Sequence, residues 1–218
     1  LHEGVALKDI SILKTLMQFS VVKLLLNQGD KFGETPLHRA VKDQKIELVE
    51  FLLEQGANVK QLTSHQKTAL HYAADKKNVA LVNLLIAHGA GSSCQQYDHW
   101  DKLPIHSVLK LDRENCGRGF VKLPSILAIC EGFLPHLTKE QIVKIDQYGK
   151  NLFHYAVQIL PRKYIEALLK HADISALSIP DQYGKTTLHI GAKWGNTEVI
   201  TFILAKTEKT LVNQTDSY

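Results

Sequence analysis

Residues 33–40 read Gly-Glu-Thr-Pro-Leu-His-Arg-Ala, and this stretch decides how the chain folds. A shorter version, Thr-Ala-Leu-His-Tyr-Ala, occupies residues 68–73, so that the leucine recurs after 33 residues. Self-similarity at a fixed period of this length predicts a solenoid of stacked structural units, because each unit buries its apolar face against the next one.

The quoted stretch carries the signals of a helix start. Thr35 stands at the N-cap position, where a hydroxyl accepts a hydrogen bond from a free backbone N–H group. Pro36 follows at the first helical position, where its missing N–H group costs nothing. Leu37, Ala40 and Val41 then share one helical face, as the i, i+3, i+4 spacing requires.

A second helix is predicted over residues 46–53, and Gly56 is placed to end it in the left-handed conformation. Neither helix is long enough to be stable in isolation. We therefore expect each pair of helices to be stabilised by stacking against its neighbours.

The period and the Thr-Pro-Leu-His-x-Ala motif resemble those of the ankyrin-repeat family over essentially the whole chain. The resemblance implies an all-α repeat solenoid, in which helix-turn-helix units are joined by β-turn hairpins. We expect a single ankyrin-repeat domain over residues 1–218, with about six units divided as follows: an irregular repeat 1 at 1–29, repeat 2 at 30–62, repeat 3 at 63–95, repeat 4 with an insertion at 96–145, repeat 5 at 146–180, repeat 6 at 181–215, and the start of a further repeat at 216–218.

Repeat four departs from the period. The distance from Ile105 to the next matching position, Phe153, is 48 residues instead of 33. We assign most of the excess to residues 111–122, of which Asp112–Gly119 is polar and contains glycine, as loops do. A short helix that begins after Thr138 accounts for the rest.

Both ends of the sequence fall inside the repeat pattern. The Asp-x-Tyr triplet at 216–218 follows those at 146–148 and 181–183 at intervals of 35 residues. We therefore expect this sequence to be a segment of a longer protein. An enzyme, pathogen effector or channel whose activity lies outside the segment is an alternative source of function, and the repeats would then be its targeting or scaffolding arm.

Composition is that of an ordinary folded protein, with 44% hydrophobic and 22% charged residues. Three cysteines, Cys94, Cys116 and Cys130, are too few for a disulfide framework and predict free thiols in a reducing compartment. No signal peptide and no apolar run near the ~20 residues of a membrane span are evident. We expect a cytoplasmic protein, with the nucleus as the alternative.

Six of the eleven histidines occupy one slot of the repeat: His2, His38, His71, His106, His154 and His189. A residue that recurs in every unit answers a structural need, and we expect a hydrogen bond between the start of an inner helix and the adjoining turn. No phosphate loop, nucleophile elbow or metal-spaced cluster appears, and Cys116 lacks a Cys/His signature. The sequence therefore predicts no enzyme, no cofactor and no metal.

The positions that vary between repeats are the predicted binding site. The resemblance implies that hairpin tips and inner helices form the concave binding face of the array. The tip residues before the glycine slot are mostly aromatic and end in Tyr218, and most residues after that slot are lysines. The predicted partner-binding residues are Phe32, His65, Lys67, Trp100, Lys102, Lys110, Tyr148, Lys150, Tyr183, Lys185, Lys193 and Trp194.

Aromatic residues interleaved with lysines favour a partner protein with an acidic and apolar surface, since Trp and Tyr are enriched at interface hot spots. Two structural interpretations remain open: the aromatic rings only stiffen neighbouring hairpins, and the lysines form a solvated face. The net charge of +4 disfavours nucleic acid or anionic lipid as the partner. No small-molecule substrate is expected.

Overall fold

The computed structural model describes Thr15 and residues 25–110 and 123–206. Within these ranges the regular structure is helical and contains no strand, so the predicted all-α fold is confirmed. Several predicted features lie outside the described residues: most of repeat 1 with His2, the Asp112–Gly119 loop with Cys116, and the triplet at 216–218 with Tyr218.

The described helices are short inner helices, outer helices and one additional helix in repeat four. In chain order they are α1 (Pro36–Lys42), α2 (Ile46–Glu54), α3 (Ala69–Asp75), α4 (Val79–Ala87), α5 (Pro104–Leu109), α6 (Leu123–Phe133), α7 (Lys139–Val143), α8 (Leu152–Ala156), α9 (Arg162–Leu169), α10 (Thr187–Trp194) and α11 (Thr197–Lys206). Short 3-10 turns cover Ala90–Gln95, Leu134–His136 and Ile174–Leu177.

The chain divides into two compact units. Unit 1 consists of Leu1–Val108 and Pro124–His136, and unit 2 consists of Leu109–Leu123 and Leu137–Tyr218. In unit 1, α1 packs against both α2 and α3, and α2 packs against α4. In unit 2, α8 packs against α9 and α10, and α11 packs against α9 and α10.

Inner helix α1 begins as the sequence predicts. Thr35 is the N-cap in an extended conformation, and Pro36 is the first helical residue. The apolar face of this helix is fully buried, with Leu37, Ala40 and Val41 at most 1% exposed. Burying one leucine side chain contributes about 1.5–3 kcal/mol, and this face supplies that stabilisation only because a neighbouring repeat covers it.

The outer helix α2 also matches the prediction, and it ends one residue later than expected. It buries Leu48, Val49, Leu52 and Leu53. Gly56 follows in the left-handed region with φ +90°, as expected for the residue that reverses the chain after a helix.

Repeat four contains the additional helix that the sequence predicts. Helix α7 follows Thr138, whose backbone N–H group donates to Oε1 of Gln141 at 2.8 Å. Inner helix α5 of the same repeat has Leu103 where other repeats have threonine or asparagine. Leu103 has no side-chain oxygen for capping, yet its N–H group still donates to Nδ1 of His106 at 3.0 Å.

Candidate partner-binding surface

The hairpin tips are held in shape by the carboxylate of their first residue. Oδ1 of Asp98 accepts hydrogen bonds from the N–H groups of Trp100 at 2.9 Å and Lys102 at 3.0 Å. Oδ1 of Asp30, Asp146 and Asp181 accepts the corresponding pair of N–H groups in the other hairpins. These bonds fix the backbone on which the predicted tip residues stand.

This positioning role of the tip aspartates was not predicted from the sequence. The signal was present as the Asp-x-Tyr triplet that recurs every 35 residues. In repeat three Thr63 takes the aspartate's place, and its Oγ1 accepts from the N–H group of Lys67 at 3.2 Å. An aspartate or threonine at this place is typical of turns, because a short side-chain acceptor satisfies the turn's free N–H groups.

Neighbouring tips within each unit are joined by backbone hydrogen bonds. In unit 1 the carbonyl of Phe32 accepts from the N–H group of Ser64 at 2.9 Å, and the carbonyl of His65 accepts from that of His99 at 3.0 Å. In unit 2 the carbonyl of Tyr148 accepts from the N–H group of Gln182 at 3.0 Å. The spacing between successive tips is therefore fixed by the backbone.

The aromatic side chains at the predicted positions are exposed. The exposed fraction is 51% for Phe32, 38% for Trp100, 41% for Tyr148, 44% for Tyr183 and 42% for Trp194. Large apolar side chains that stand in water on a rigid backbone offer contact area to another molecule. We call Phe32, His65, Lys67, Trp100 and Lys102 the unit 1 tip surface, and Tyr148, Lys150, Tyr183, Lys185, Lys193 and Trp194 the unit 2 tip surface.

In unit 1 the aromatic tips also pack on one another. The Trp100 ring stacks on the His65 ring, with centroids 5.6 Å apart and an interplanar angle of 22°. The Lys67 ammonium lies 5.1 Å from the centroid of Trp100 and 5.8 Å from that of Tyr72. Trp100 thus stiffens the neighbouring hairpin, as one of the two interpretations held, and still presents more than a third of its surface to solvent.

Two of the predicted lysines connect hairpins instead of forming a solvated face. Nζ of Lys67 lies 4.0 Å from Oδ2 of Asp98, and its side chain is 26% exposed. Nζ of Lys150 lies 3.9 Å from Oδ2 of Asp181, and its side chain is 25% exposed. Lys102 and Lys185 are half-buried, whereas Lys110 and Lys193 are exposed.

A polar network lies beneath the tips of unit 1. Nζ of Lys42 donates to both carboxylate oxygens of Glu34, at 2.7 and 2.9 Å, and the Tyr72 hydroxyl donates to Oε1 of Glu34 at 3.1 Å. Burial, followed by the charge of Glu34, raises the pKa of Tyr72 to about 12. The Tyr72 hydroxyl therefore stays protonated and serves as a hydrogen-bond donor.

Unit 2 contains a related network. The Tyr155 hydroxyl donates to Oδ2 of Asp146, the carboxylate whose other oxygen closes the hairpin tip. Burial, followed by that hydrogen bond, raises the pKa of Tyr155. Asp146 and Asp181 are each only 6% exposed, so the negative charges of these tips point into the protein.

At His71 the repeated histidine bridges the start of an inner helix to the next hairpin, as predicted. Nδ1 of His71 accepts from the N–H group of Thr68 at 3.1 Å, which places the proton of the neutral ring on Nε2. Nε2 then donates to the carbonyl of Lys102 at 3.3 Å. The same Nδ1 contact with the capping residue's N–H group occurs at His38, His106, His154 and His189.

Burial keeps His38, His71 and His154 neutral. It lowers the pKa of His38 and of His71 to about 4, and it also lowers the pKa of His154. A neutral imidazole whose two nitrogens both contact the backbone, as at His71, is a structural group. Among the described residues, no group of His, Cys, Asp and Glu side chains is arranged to hold a metal ion.

The two described cysteines are free and buried. Burial raises the pKa of both Cys94 and Cys130 to about 12, so these thiols are unreactive near neutral pH. In the part of the chain that the structure describes, no helix combines the length and apolar character needed to cross a membrane.

Sequence comparison relates the chain to known proteins along most of its length. The family model for ankyrin repeats, in three copies, matches residues 1–98 and 125–216. Inversin of Canis lupus familiaris is 29% identical over 168 residues, which cover 77% of this chain and 14% of inversin. The nuclear factor NF-kappa-B p105 subunit of Gallus gallus is 29% identical over 182 residues, which cover 83% of this chain and 17% of that protein.

Comparison of folds gives the same result. The structure of EF0377, described as an ankyrin repeat protein, superposes with a TM-score of 0.65 and 19% sequence identity. The superposition covers 94% of this chain and 96% of EF0377. At this level of identity the likeness establishes the fold alone.

Proposed function

Because the chain belongs to the ankyrin-repeat family, we propose that it binds a partner protein through its unit 1 and unit 2 tip surfaces, the concave side of an ankyrin array. Ankyrin repeats generally are protein–protein interaction modules and typically not enzymes. The observation that carries the proposal is the set of exposed aromatic rings on backbone-bonded hairpin tips. Such rings are the side chains that dominate binding energy at interfaces.

The predicted lysines support this proposal in two ways. Lys193 is exposed and available to a partner's carboxylate. Lys67 and Lys150 hold successive tips together, so that the aromatic rings are preorganised for contact. We place this binding in the cytosol or nucleus, because the two cysteines of the described residues are free thiols and thiols stay reduced in those compartments.

The experiment is affinity capture from nuclease-treated cell lysate, at low and moderate salt. The wild-type chain is compared with a variant that carries Trp100→Ala, Tyr148→Ala, Tyr183→Ala and Trp194→Ala. A matched control carries Ile174→Ala and Leu204→Ala, which remove apolar side chains of similar exposure (39% and 40%) away from the tips. All three chains are first shown to be folded by circular dichroism and thermal unfolding.

We expect a partner that the wild type and the control capture and the tip variant does not. Removing one hot-spot aromatic costs ~2 kcal/mol, so the fourfold change abolishes capture. A partner that the tip variant retains and the control loses would contradict the proposal and indicate binding through the outer helices.

A second candidate function is that of a targeting or scaffolding arm of a larger enzyme, effector or channel. The observation that favours it is the small share of inversin and of p105 that this chain spans, 14% and 17%. Here the tip surfaces bind the substrate or anchor of the larger protein. Assaying the full-length protein with the tip variant tests this function: loss of substrate recruitment with unchanged activity on a small model substrate supports it.

A further inference from the structure

The two tip surfaces differ in their exposed carboxylates. In unit 1, Asp43, Asp75 and Asp101 are exposed at the inner-helix ends and at a hairpin tip. Asp43 faces Arg39 of its own helix at 3.3 Å, in an exposed pair of small energetic value. Lys42 and Lys76 take the other two inner-helix-end positions of unit 1, so that lysines and carboxylates alternate there and this mixed charge does not select an acidic ligand.

In unit 2 the equivalent positions carry no acid. Gly149 and Gly184 take the tip position of Asp101, Gln158 and Lys193 take that of Asp75, and Ile159 and Trp194 take that of Asp43. The other acidic residues of the described part of unit 2 lie in α7, in the outer helices α9 and α11, or in the loop after α9: Glu140, Glu166, Asp173 and Glu198.

The two tip aspartates of unit 2 do not restore negative charge to this surface. Both oxygens of Asp146 accept hydrogen bonds, from the tip N–H groups and from Tyr155. Oδ1 of Asp181 accepts from two tip N–H groups, and its Oδ2 lies near Nζ of Lys150. The exposed residues of this surface are Lys193, Tyr148, Tyr183 and Trp194, whereas Lys150 and Lys185 are half-buried.

We propose that the unit 2 tip surface binds an acidic segment of a partner protein that carries at least one large apolar side chain, and that the unit 1 tip surface does not select acidic ligands. This inference rests on the proposed function and assigns its charge preference to one half of the chain. Lys193 attracts the partner's carboxylates, since no acid of the described part of unit 2 takes a position equivalent to Asp43, Asp75 or Asp101, and the aromatic rings receive the apolar side chain.

The test uses the whole chain and a phage-displayed library of random peptides as the probe. Peptides enriched on the wild type are synthesised, and their affinities are measured for a pair of charge-swap variants at equivalent positions, Lys193→Asp in unit 2 and Asp75→Lys in unit 1. We expect enriched peptides to contain more Asp and Glu than the library. Their affinity should fall about tenfold with Lys193→Asp, and it should change by less than about twofold with Asp75→Lys.

Each other outcome overturns a stated part of the inference. Enriched peptides that are not acidic, but that lose affinity with Trp194→Ala, overturn the charge preference and leave partner binding by the tips intact. Equal effects of the two charge swaps overturn the assignment to unit 2. Two outcomes overturn the inference and also weigh against the proposed function. In the first, the enriched peptides bind the Lys193→Asp and the Trp194→Ala variants as tightly as they bind the wild type. In the second, no peptide is enriched.

A general anion site is distinguished with two further probes, a twelve-residue oligothymidylate and vesicles that contain phosphatidylserine. If either binds as tightly as the acidic peptides and without dependence on Trp194, the surface recognises negative charge alone, and the peptide proposal is wrong. A steep loss of that binding between low and moderate salt would identify counterion release as its basis.

Discussion

The start of each inner helix and the tip of each hairpin lie only a few residues apart, yet the repeated side chain is buried at the helix start and the variable side chain is exposed at the tip. At the helix start the same residue recurs, and His38, His71 and His154 are at most 1% exposed. At the tips the residue changes from Phe to His, Trp and Tyr, and these side chains stand in solvent. A position that repeats one residue answers a demand common to every unit, and a position that varies is free to recognise something else.

The comparison is also one of electrostatics. Buried His71 is neutral, and both of its ring nitrogens contact the backbone. At the tips Asp98, Asp146 and Asp181 are buried, whereas the aromatic rings are exposed. Four predictions test this contrast, and each is measured as a change in the free energy of unfolding.

The largest change in the free energy of unfolding is expected when the pH is lowered. The folded-state pKa of His38 and of His71 is lowered to about 4 from the ordinary 6.5, so the folded chain binds fewer protons than the unfolded chain between these values. Their stabilising contribution is fully present above pH 6.5 and is lost as the pH falls towards 4. Inside this window, each of these histidines should lower the free energy of unfolding by about 1.4 kcal/mol for every pH unit that the pH falls.

Urea unfolding at pH 7, 6 and 5 measures this dependence. The His154→Gln variant is the control. Because the pKa of His154 is also lowered, replacing this histidine should reduce the pH dependence of the free energy of unfolding by one histidine's share. A free energy of unfolding that stays constant from pH 7 to pH 5 would show that the buried rings do not resist protonation, and the structural role assigned to them would be wrong.

The second effect comes from removing a buried ring. His71→Ala deletes the contacts to Thr68 and Lys102 and leaves a cavity, which should cost about 3 kcal/mol. His189, in the last described repeat, keeps the Nδ1 contact to Thr186 but is only half-buried, so His189→Ala should cost about 1 kcal/mol. Equal losses from the two variants, measured by urea unfolding at pH 7.5, would contradict the link between burial and the bridging role.

Much of the helix-start layer could be predicted from sequence, because its signals are local. Thr35, Pro36 and His38 lie within four residues of one another, and their contacts follow from helix geometry. The exposure of the tip aromatics followed from their variation between repeats. That a partner contacts them stays a prediction.

The contacts that run between repeats could not be predicted. Lys67 reaches Asp98, and Lys150 reaches Asp181, across 31 residues of sequence. These pairs depend on the distance and rotation from one hairpin to the next, which the motif alone does not specify. The division into two units falls within repeat four, the repeat whose length departs from the period, but sequence did not reveal that the departure separates compact units.

The third prediction concerns the close approach of neighbouring tips. Gly149 has φ +72°, and a Cβ atom added there would lie 2.8 Å from the backbone nitrogen of Gln182. Gly149→Ala should therefore cost about 2 kcal/mol through strain and displacement of the next hairpin. Gly56 has φ +90° with nothing within 4 Å of the added Cβ, so Gly56→Ala is the matched control and should cost about 1 kcal/mol. If the two substitutions cost the same, then the tips do not pack as closely as the hydrogen bond from Gln182 to Tyr148 implies.

The smallest effects separate the two kinds of tip. Trp100 stacks on His65 and lies over Lys67, so Trp100→Ala should lower the free energy of unfolding by about 1 kcal/mol. Tyr183 is 44% exposed, and Tyr183→Ala should lower it by about 0.3 kcal/mol, within the range of surface substitutions. Thermal unfolding of the two variants beside the wild type measures the difference. If truncating a tip side chain lowers the free energy of unfolding, part of that side chain packs within the array. If truncation leaves the free energy unchanged, the whole exposed surface of the side chain is available to a partner. A loss of 1 kcal/mol or more at Tyr183 would show that the unit 2 tips also stiffen the array, and the contrast between helix starts and tips would then hold only in part.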